Sequence, residues 1–358
     1  MDFKAQLQAY KTVIDQDIAT YAQHVASSTN AQYGAYPSDV TSVFLDVLGR
    51  GGKRIRGALA MVGYEMCGGQ DQQMIVRAAT ALEMINAYIL MVDDVQDRSV
   101  MRRGKATAHE MLADYHRDRQ LKGDAAHTGV SLALNAALAG SHAAQMLLAG
   151  LSVDAELRVK AIGIINLAMV VTAHGQTQDI MNELVDRPSL DDLEHVLEWK
   201  TAYYTFLNPL CVGMVLAGAG CEDTDAIRDY ALHTGRAFQI TDDIIGVFGD
   251  DKQTGKNAMD DIREGKQTLL TDYAFDHITD DDAAFLRAML GNESLTTDEF
   301  ARCKTIIESS GALDNAREAA RHHIRTALTA LDTHAERWSP AGVGFLRDLA
   351  GSLLDRSA

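Results

Sequence analysis

The sequence predicts an all-α protein folded as a large helical bundle. Only 4 prolines occur in 358 residues, Ala and Leu are abundant, and clusters of β-branched residues are few. Three long runs without charge, at 125–153, 161–178 and 201–221, are interrupted by polar residues. We therefore expect fully buried helices rather than membrane spans. No Ser-, Gly- or Pro-rich tract divides the chain, which predicts one domain over residues 1–358.

The helices are predicted in order from their polarity, caps and breaks. In the first part of the chain their expected bounds are about 3–27, 38–48, 53–66 and 73–94, with Ser38 as an N-cap. His109 opens another helix. Further helices are expected over about 160–184, 190–211 and 223–248, and several amphipathic helices follow Lys266, with one break at Trp338–Pro340.

The overall charge narrows the class of partner. The net charge is −17, from 33 basic and 50 acidic residues, and no long basic stripe is visible, which argues against nucleic acid. An anionic substrate then needs local cations or metal ions. The 4 scattered cysteines predict buried free thiols in a reducing compartment. Because the N-terminus lacks the apolar core of a signal peptide, we expect a cytoplasmic protein.

Two clusters of carboxylates mark the candidate chemistry. Asp93 and Asp97 end a long apolar run and share one helix face, with Asp94 beside them. Asp242 and Asp243 end a second apolar run far downstream. Unpaired carboxylates are costly beside buried apolar residues, so both clusters are expected to bind cations, and they can face each other.

Basic residues near both clusters indicate which cations and which substrate. They are Arg98, Arg102, Arg103 and Lys105 after the first cluster, and Lys252, Lys256, Arg263 and Lys266 after the second. Acid beside base suggests metal ions that bridge to phosphates, and oxygen ligands favour Mg²⁺. The alternative is that each cluster is a solvated helix end, which is common in so acidic a chain.

Three further groups of residues are candidates for binding an anion. Lys53 and Arg56 follow two glycines and are expected to share a helix face at an N-terminus, where backbone N–H groups attract anions; ordinary surface bases are the alternative. Arg102 and Arg103 suit bidentate phosphate contacts. Lys200 either extends to solvent or points into a polar cavity.

The segment from 249 to 265 is predicted to be a loop that can act as a lid.

Together these motifs resemble those of the trans-type isoprenyl diphosphate synthases. The matching segments, in the family's order, are Gly51–Arg56, Asp93–Asp97, Arg102–Gly104, Lys200–Thr201, Phe238–Asp243, and Gly255–Lys256 through Gly265–Lys266. One such motif is weak evidence, whereas six in register are strong evidence. The resemblance implies a large antiparallel bundle around a central cavity, usually as a homodimer.

The resemblance also implies a reaction and the residues that perform it. An allylic diphosphate would ionise with the help of about three Mg²⁺ ions, and isopentenyl diphosphate would attack the cation. The metal ligands would be Asp93, Asp94, Asp97, Asp242 and Asp243. The catalytic residues would be Arg102, Lys200, Thr201 and Gln239. Substrate binding would involve these four together with Gly52, Lys53, Arg56, Asn86, Arg103, Lys256 and Lys266.

The sequence departs from the family pattern at three positions. Asn86 stands where a histidine is common, so it can donate a hydrogen bond but cannot carry charge. Gly246 replaces the last aspartate of the second cluster, which removes a peripheral ligand but leaves Asp242. Gly57 replaces the usual proline after the basic motif.

The residues before the first aspartate cluster are used to predict the length of the product. In the family, bulk there forms the floor of the pocket for the growing chain, and Tyr88 stands five residues before Asp93, with Ile85 and Ile89 around it. This pattern favours a twenty-carbon geranylgeranyl product over a fifteen-carbon farnesyl product. The alternative is that Tyr88 is a core aromatic.

Two other functions fit the same fold. A terpene cyclase ionises the same allylic substrates but needs no isopentenyl diphosphate site, so Lys53, Arg56 and Arg103 argue against it. A regulatory subunit without catalysis would be expected to lose the first aspartate cluster, which is intact here.

Overall fold

The computed structural model describes residues 3–249 and 258–354, and within them it is helical apart from one short hairpin. The helices are α1 Phe3–Tyr33, α2 Ala35–Gly49, α3 Ile55–Met66, α4 Gln72–Gln96, α5 Ala108–Asp118, α6 Ala125–Ala149, α7 Ala155–Leu184, α8 Leu190–His195, α9 Asn208–Leu216, α10 Cys221–Ala226, α11 Arg228–Phe248, α12 Asp260–Glu264, α13 Leu269–His277, α14 Asp280–Met289, α15 Thr297–Ser309, α16 Ala312–Thr333 and α17 Pro340–Leu354. A π-helix covers Val196–Leu207, between α8 and α9, and a 3₁₀ turn covers Ala335–Arg337. The predicted all-α class is confirmed.

The chain divides into two compact units. The first contains Met1–Gly163 and Val212–Gly218, and the second contains Ile164–Cys211 and Ala219–Ala358. Two of the three boundaries therefore fall inside α7 and α9, and the third falls between α9 and α10. The single domain expected from the sequence stays a prediction.

Helix α4 forms the centre of the first unit and carries the first aspartate cluster at its C-terminal end. It packs against α3 and α6, and α5 packs along α6. Asp71 caps its N-terminus by accepting the Met74 N–H at 3.0 Å. At the other end, the N–H of Asp97 bonds to the carbonyl of Asp93 at 2.8 Å, which places the two residues one helical turn apart, as predicted.

Helix α11 forms the centre of the second unit and carries the second aspartate cluster. It packs against the π-helix and α16. Tyr230 is fully buried and donates to the Leu346 carbonyl at 2.6 Å. His233 lies against His323, with 2.9 Å between their Nδ1 atoms, and burial lowers the pKa of His323 to about 4.

The basic stretch after the first cluster, expected as part of a loop, is a β-hairpin. Its strands are β1 (Met101–Arg102) and β2 (Lys105–Ala106), which pair antiparallel. The two turn residues, Arg103 and Gly104, have φ angles of +55° and +71°. Two-residue hairpin turns of this kind need positive φ at both central positions, and the turn directs the Arg102 and Arg103 side chains apart.

The prediction of fully buried apolar helices is wrong for two of the three runs. Exposed apolar side chains lie on one side of α6 and along α7: Leu134, Leu138 and Met146 on α6, and Val159, Leu167, Val170, Met181 and Leu184 on α7. The third run is largely buried up to Leu216. By length and composition, α4, α6 and α7 could each cross a membrane.

Several smaller expectations are also corrected. Helix α2 begins at Ala35, after Gly34, so Ser38 lies inside the helix instead of capping it. The four cysteines are free, as predicted, but Cys67 is half-buried and Cys221 is exposed. The continuous α-helix expected over 190–211 is interrupted by the π-helix. The pattern of apolar and polar residues did not reveal this change in backbone hydrogen bonding.

Candidate active site

A buried arginine organises the basic motif between α2 and α3. Arg54 is 5% exposed and has a left-handed backbone, with φ +52°. Its guanidinium donates to the Leu48 carbonyl and to Asp15 Oδ1, both at 2.8 Å, and to Glu83 Oε2 at 3.4 Å. Glu83 accepts the Gly57 N–H on its other oxygen at 2.9 Å. These contacts fix the backbone before and after the motif.

The Gly57 departure has a structural explanation in these contacts. A proline has no N–H and could not donate to Glu83. A Cβ at Gly57 would also lie 2.7 Å from Ile14 Cδ1, which is too close for an ordinary contact. In this chain the Glu83 carboxylate therefore replaces the rigidity that a proline would give to the start of α3.

Positive charge is concentrated around Gly52. Arg103 Nη2 would lie 2.8 Å from a Cβ at Gly52, and Arg103 donates to the Gly51 carbonyl. Burial, together with the charges of Arg54, Arg102 and Arg56, lowers the pKa of Arg103 below its ordinary value. A guanidinium among like charges favours a bound anion.

Lys53 and Asn86 complete the set predicted to bind isopentenyl diphosphate. Lys53 is exposed, but it does not share a helix face with Arg56, because α3 begins at Ile55 and Arg54 is left-handed. That expectation is wrong. Asn86 is buried, and its Oδ1 atom accepts no hydrogen bond within the part of the chain that the structure describes.

The first aspartate cluster is held by Arg102. The guanidinium donates to Asp94 Oδ1 at 2.5 Å and to Asp93 Oδ2 at 3.0 Å. Burial alone would lower the pKa of Arg102, but Asp94 and Asp93 raise it above its ordinary value. Asp94 is 3% exposed, so its charge lies in the interior beside Arg102, while Asp93 and Asp97 remain half-buried.

In the second unit, the Lys200–Thr201 pair lies in the π-helix and is held from two sides. Lys200 Nζ lies 2.5 Å from Asp179 Oδ2 on α7. Thr201 Oγ1 donates to Gln239 Oε1 at 2.5 Å, and Gln239 Nε2 donates to Asp243 Oδ1 at 2.8 Å. Lys200 therefore points toward acidic residues rather than into solvent, and Thr201, Gln239 and Asp243 form one hydrogen-bonded chain.

Asp243 lies where negative charges accumulate. Burial raises the pKa of Asp243 to about 7, and the charges of Asp261, Asp179 and Asp242 act in the same direction, whereas the hydrogen bond from Gln239 lowers it. A carboxyl group in this environment gains strongly from a nearby cation.

The departure at Gly246 leaves room for another carboxylate. A Cβ at Gly246 would lie 1.8 Å from Asp261 Oδ2 and 2.9 Å from Asp261 Cγ. The Asp261 side chain therefore lies where a side chain at position 246 would begin. Lys266 Nζ lies 3.9 Å from Asp261 Oδ1 and 2.9 Å from Glu264. Lys256 and part of the predicted lid lie outside the described residues.

The acidic residues fit divalent metal ions by their chemistry. All the donors are carboxylate oxygens, which Mg²⁺ prefers, and the raised pKa of Asp243 shows that added positive charge would be favourable. Within residues 3–249 and 258–354, no group of three or more His, Cys, Asp or Glu side chains is arranged to hold a metal ion. Mg²⁺ commonly takes one or two carboxylates and completes its shell with substrate phosphate and water, so pairs of aspartates suffice.

Comparison with known proteins identifies the family. A family model described as polyprenyl synthetase matches residues 38–307. A crystal structure of geranylgeranyl pyrophosphate synthase from Corynebacterium glutamicum, complexed with isoprenyl diphosphate and magnesium, has a TM-score of 0.92 and 30% identity, covering 98% of this chain and 99% of that chain.

Two relatives give the same result at the sequence level. Geranylgeranyl diphosphate synthase of Sulfolobus acidocaldarius is 29% identical over 322 residues, which are 87% of this chain and 91% of the relative. Octaprenyl diphosphate synthase of Escherichia coli is 30% identical over 303 residues, 83% of this chain and 85% of the relative. The chain belongs to the polyprenyl synthetase family, the trans-type isoprenyl diphosphate synthases, and it is a prenyltransferase.

Four residues that contact the predicted site were not among the site residues predicted from the sequence. Arg54 and Glu83 are buried partners of the basic motif, Asp179 holds Lys200, and Asp261 occupies the space beside Gly246. For Glu83, the signal in the sequence was an acidic residue inside the apolar run, ten positions before Asp93. For Asp179, the signal was a carboxylate directly after the uncharged run 161–178.

We expect Glu83→Ala to destabilise the protein. The change leaves the Gly57 N–H unpaired in the interior and removes one of two carboxylates from Arg54. The free energy of unfolding should therefore fall by about 1–3 kcal/mol.

The matched control is Glu156→Ala, because Glu156 is 75% exposed and pairs with Lys160 across one helical turn. It should change the free energy of unfolding by at most about 0.5 kcal/mol. Urea unfolding measures both variants. Equal effects would show that Glu83 does not organise the basic motif.

Proposed function

We propose that the protein joins isopentenyl diphosphate to an allylic diphosphate, head to tail, to give a longer trans-isoprenyl diphosphate. The observation that carries the substrate assignment is the concentration of arginines around Gly52, where Arg103 is surrounded by like charges. Gly51 and Gly52, which Arg103 contacts, precede the first aspartate cluster in sequence, and a second diphosphate is the anion that a chain-elongating prenyltransferase requires. A terpene cyclase would have no use for it.

Isopentenyl diphosphate is assigned to the first unit. Its diphosphate would contact Arg103, Arg56 and the exposed Lys53, and Gly52 leaves the backbone open to close approach. The buried amide of Asn86 would donate to the same diphosphate. An amide gives a weaker contact than a charged histidine would, so the arginines carry most of the binding.

The allylic diphosphate is assigned to the carboxylates and their bases. Asp93, Asp94, Asp97, Asp242 and Asp243 are the proposed metal ligands, for about three Mg²⁺ ions. Bound Mg²⁺ would supply positive charge to the departing diphosphate. Arg102, Lys200, Lys256 and Lys266 would contact the diphosphate oxygens.

The chain's own residues then control the reacting carbon atoms. The allylic C–O bond breaks, the double bond of isopentenyl diphosphate forms the new C–C bond, and a proton passes to the released diphosphate. Thr201 and Gln239, fixed by their hydrogen bond, present oxygen atoms toward the developing cation, and Lys200 balances the diphosphate charge. Preorganised dipoles of this kind need no reorganisation during the reaction.

The full-length protein tests this function directly. It is incubated with radiolabelled isopentenyl diphosphate, Mg²⁺ and each allylic diphosphate in turn, and the products are sized by chromatography. We expect label in longer isoprenyl diphosphates, and removal of the metal with EDTA should abolish incorporation. Incorporation without any divalent metal, or no incorporation with every primer, contradicts the proposal.

Product length is proposed to be twenty carbons, with Tyr88 as the floor of the chain pocket. Tyr88 and Ile89 are half-buried and Ile85 is buried, one to two turns before Asp93 on α4. A half-buried aromatic on this helix has apolar surface left to contact a growing chain. The relatives include synthases of both shorter and longer products, so membership of the family does not decide the length.

We expect Tyr88→Ala to lengthen the product. Removing the ring deepens the pocket, so elongation continues for at least one further five-carbon unit. Chromatography of the dephosphorylated products measures the change, with Tyr33→Ala as the control because Tyr33 is 63% exposed. An unchanged product length would remove Tyr88 from this role.

We also propose that the protein is a homodimer that buries the exposed apolar sides of α6 and α7. Leu138 and Met146 on α6 are 55% and 75% exposed, and Leu167 on α7 is 63% exposed. Exposed apolar side chains grouped on one helix, as on α6, are typical of protein interfaces. The cytoplasmic location and the absence of a membrane span stay predictions. A dimer would shield the apolar surfaces of α6 and α7 from water without a membrane.

Two charges on α6 should disrupt this dimer. In Leu138→Asp/Met146→Asp, carboxylates would lose their hydration at the interface, so we expect a monomer. Val100→Asp is the control, because Val100 is also apolar and 60% exposed but lies outside both helices. Size-exclusion chromatography with light scattering gives the mass. A wild-type monomer, or a double variant that remains dimeric, contradicts the proposal.

A further inference from the structure

We propose that Gly175 on α7 and Gly235 on α11 are positioning residues that hold the π-helix so that Lys200 and Thr201 are presented to the substrate. This inference rests on the role proposed above for Lys200 and Thr201. Neither glycine has a functional group, so each would act through the backbone that it contacts.

Gly175 contacts the backbone of the π-helix at Lys200. A Cβ at position 175 would lie 2.2 Å from the backbone nitrogen of Lys200 and 2.6 Å from the carbonyl carbon of Trp199. Four residues later on the same helix, Asp179 holds the Lys200 ammonium group at 2.5 Å. Helix α7 therefore fixes both the backbone and the side chain of Lys200.

Gly235 does the same for the next part of the π-helix. A Cβ at position 235 would lie 2.4 Å from Ala202 Cβ and 2.5 Å from Ala202 Cα. Four residues later on α11, Gln239 accepts the hydroxyl of Thr201 at 2.5 Å. Residues four apart share a helix face, so each flanking helix presents a glycine followed by a polar partner.

The two glycines approach the chain where its backbone forms the π-helix. A π-helix is rare, and it occurs mostly as a local interruption of α-helices, often at functional sites. Two glycines approach this segment within four consecutive residues, Trp199–Ala202, and a Cβ on either glycine would overlap it. By contrast, a Cβ at Gly163, also on α7, would meet nothing within 4 Å.

Adding a methyl group therefore has a defined consequence. Ordinary contact begins at 3.4 Å, so Gly175→Ala must move the Lys200 backbone by about 1 Å, and a misplacement of about 1 Å can cost about 100-fold in rate. The isopentenyl diphosphate site is built from other residues, in the first unit. We therefore expect a selective loss of turnover.

The experiment compares five variants in the full-length protein. Gly175→Ala and Gly235→Ala should lower kcat by about 10-fold to 100-fold, with KM for isopentenyl diphosphate unchanged. Gly163→Ala is the matched control for a glycine-to-alanine change in α7 and should keep the wild-type kcat. Ala202→Gly/Gly235→Ala removes the overlap of the two methyl groups and should regain part of the lost kcat, with Ala202→Gly alone as its control.

A second readout does not depend on turnover. Hydrogen exchange measured by mass spectrometry should show faster exchange of the 196–207 amides in Gly175→Ala and Gly235→Ala than in Gly163→Ala, because the displaced segment loses backbone hydrogen bonds. If the wild-type protein transfers no prenyl group, the proposed function fails, and this exchange measurement still tests the role of the glycines in the backbone.

Three outcomes would overturn the inference. The first is a kcat for both glycine variants equal to that of Gly163→Ala. The second is an equal loss in kcat and rise in KM for isopentenyl diphosphate, which indicates general destabilisation. The third is failure of the double variant to recover either folding or kcat, because the two glycines would then serve the fold alone.

Discussion

The structure depends on holding like charges close together. In the first unit, burial together with the charges of Arg54, Arg102 and Arg56 lowers the pKa of Arg103. In the second unit, burial together with the charges of Asp261, Asp179 and Asp242 raises the pKa of Asp243 to about 7. Both arrangements cost free energy without a ligand. A bound diphosphate would relieve the first and bound divalent cations would relieve the second, so the proposed ligands would be favoured by removing repulsion as well as by forming contacts.

Counter-charges inside the protein limit this cost without removing it. Glu83 and Asp15 neutralise Arg54, Arg102 bridges Asp93 and Asp94, and Lys200 pairs with Asp179. A buried ion that lost its partner would be strongly destabilising. These partners therefore keep the fold intact before substrate arrives, and the charges assigned to substrate lie beside them.

The basic motif, the hairpin turn and the Lys200–Thr201 pair lie where the backbone departs from regular helical geometry. Arg54 precedes α3 in a left-handed conformation, Arg103 occupies a hairpin turn with positive φ, and Lys200 and Thr201 lie in a π-helix. Strained or irregular backbone persists when the surrounding structure fixes it. Here the fixing contacts are Glu83 for the basic motif and Asp179 with Gln239 for the π-helix.

The sequence by itself determined the helical class, the family, the aspartate and arginine motifs and the bounds of α4 to within two residues. These features depend on local composition and spacing, which the chain carries directly. The tertiary structure alone decided that Arg102 pairs with Asp94, that Asp261 lies beside Gly246, and that α6 and α7 expose apolar surface. Each of these joins residues from different elements or concerns how elements pack, and neither polarity nor spacing along one chain specifies which faces meet.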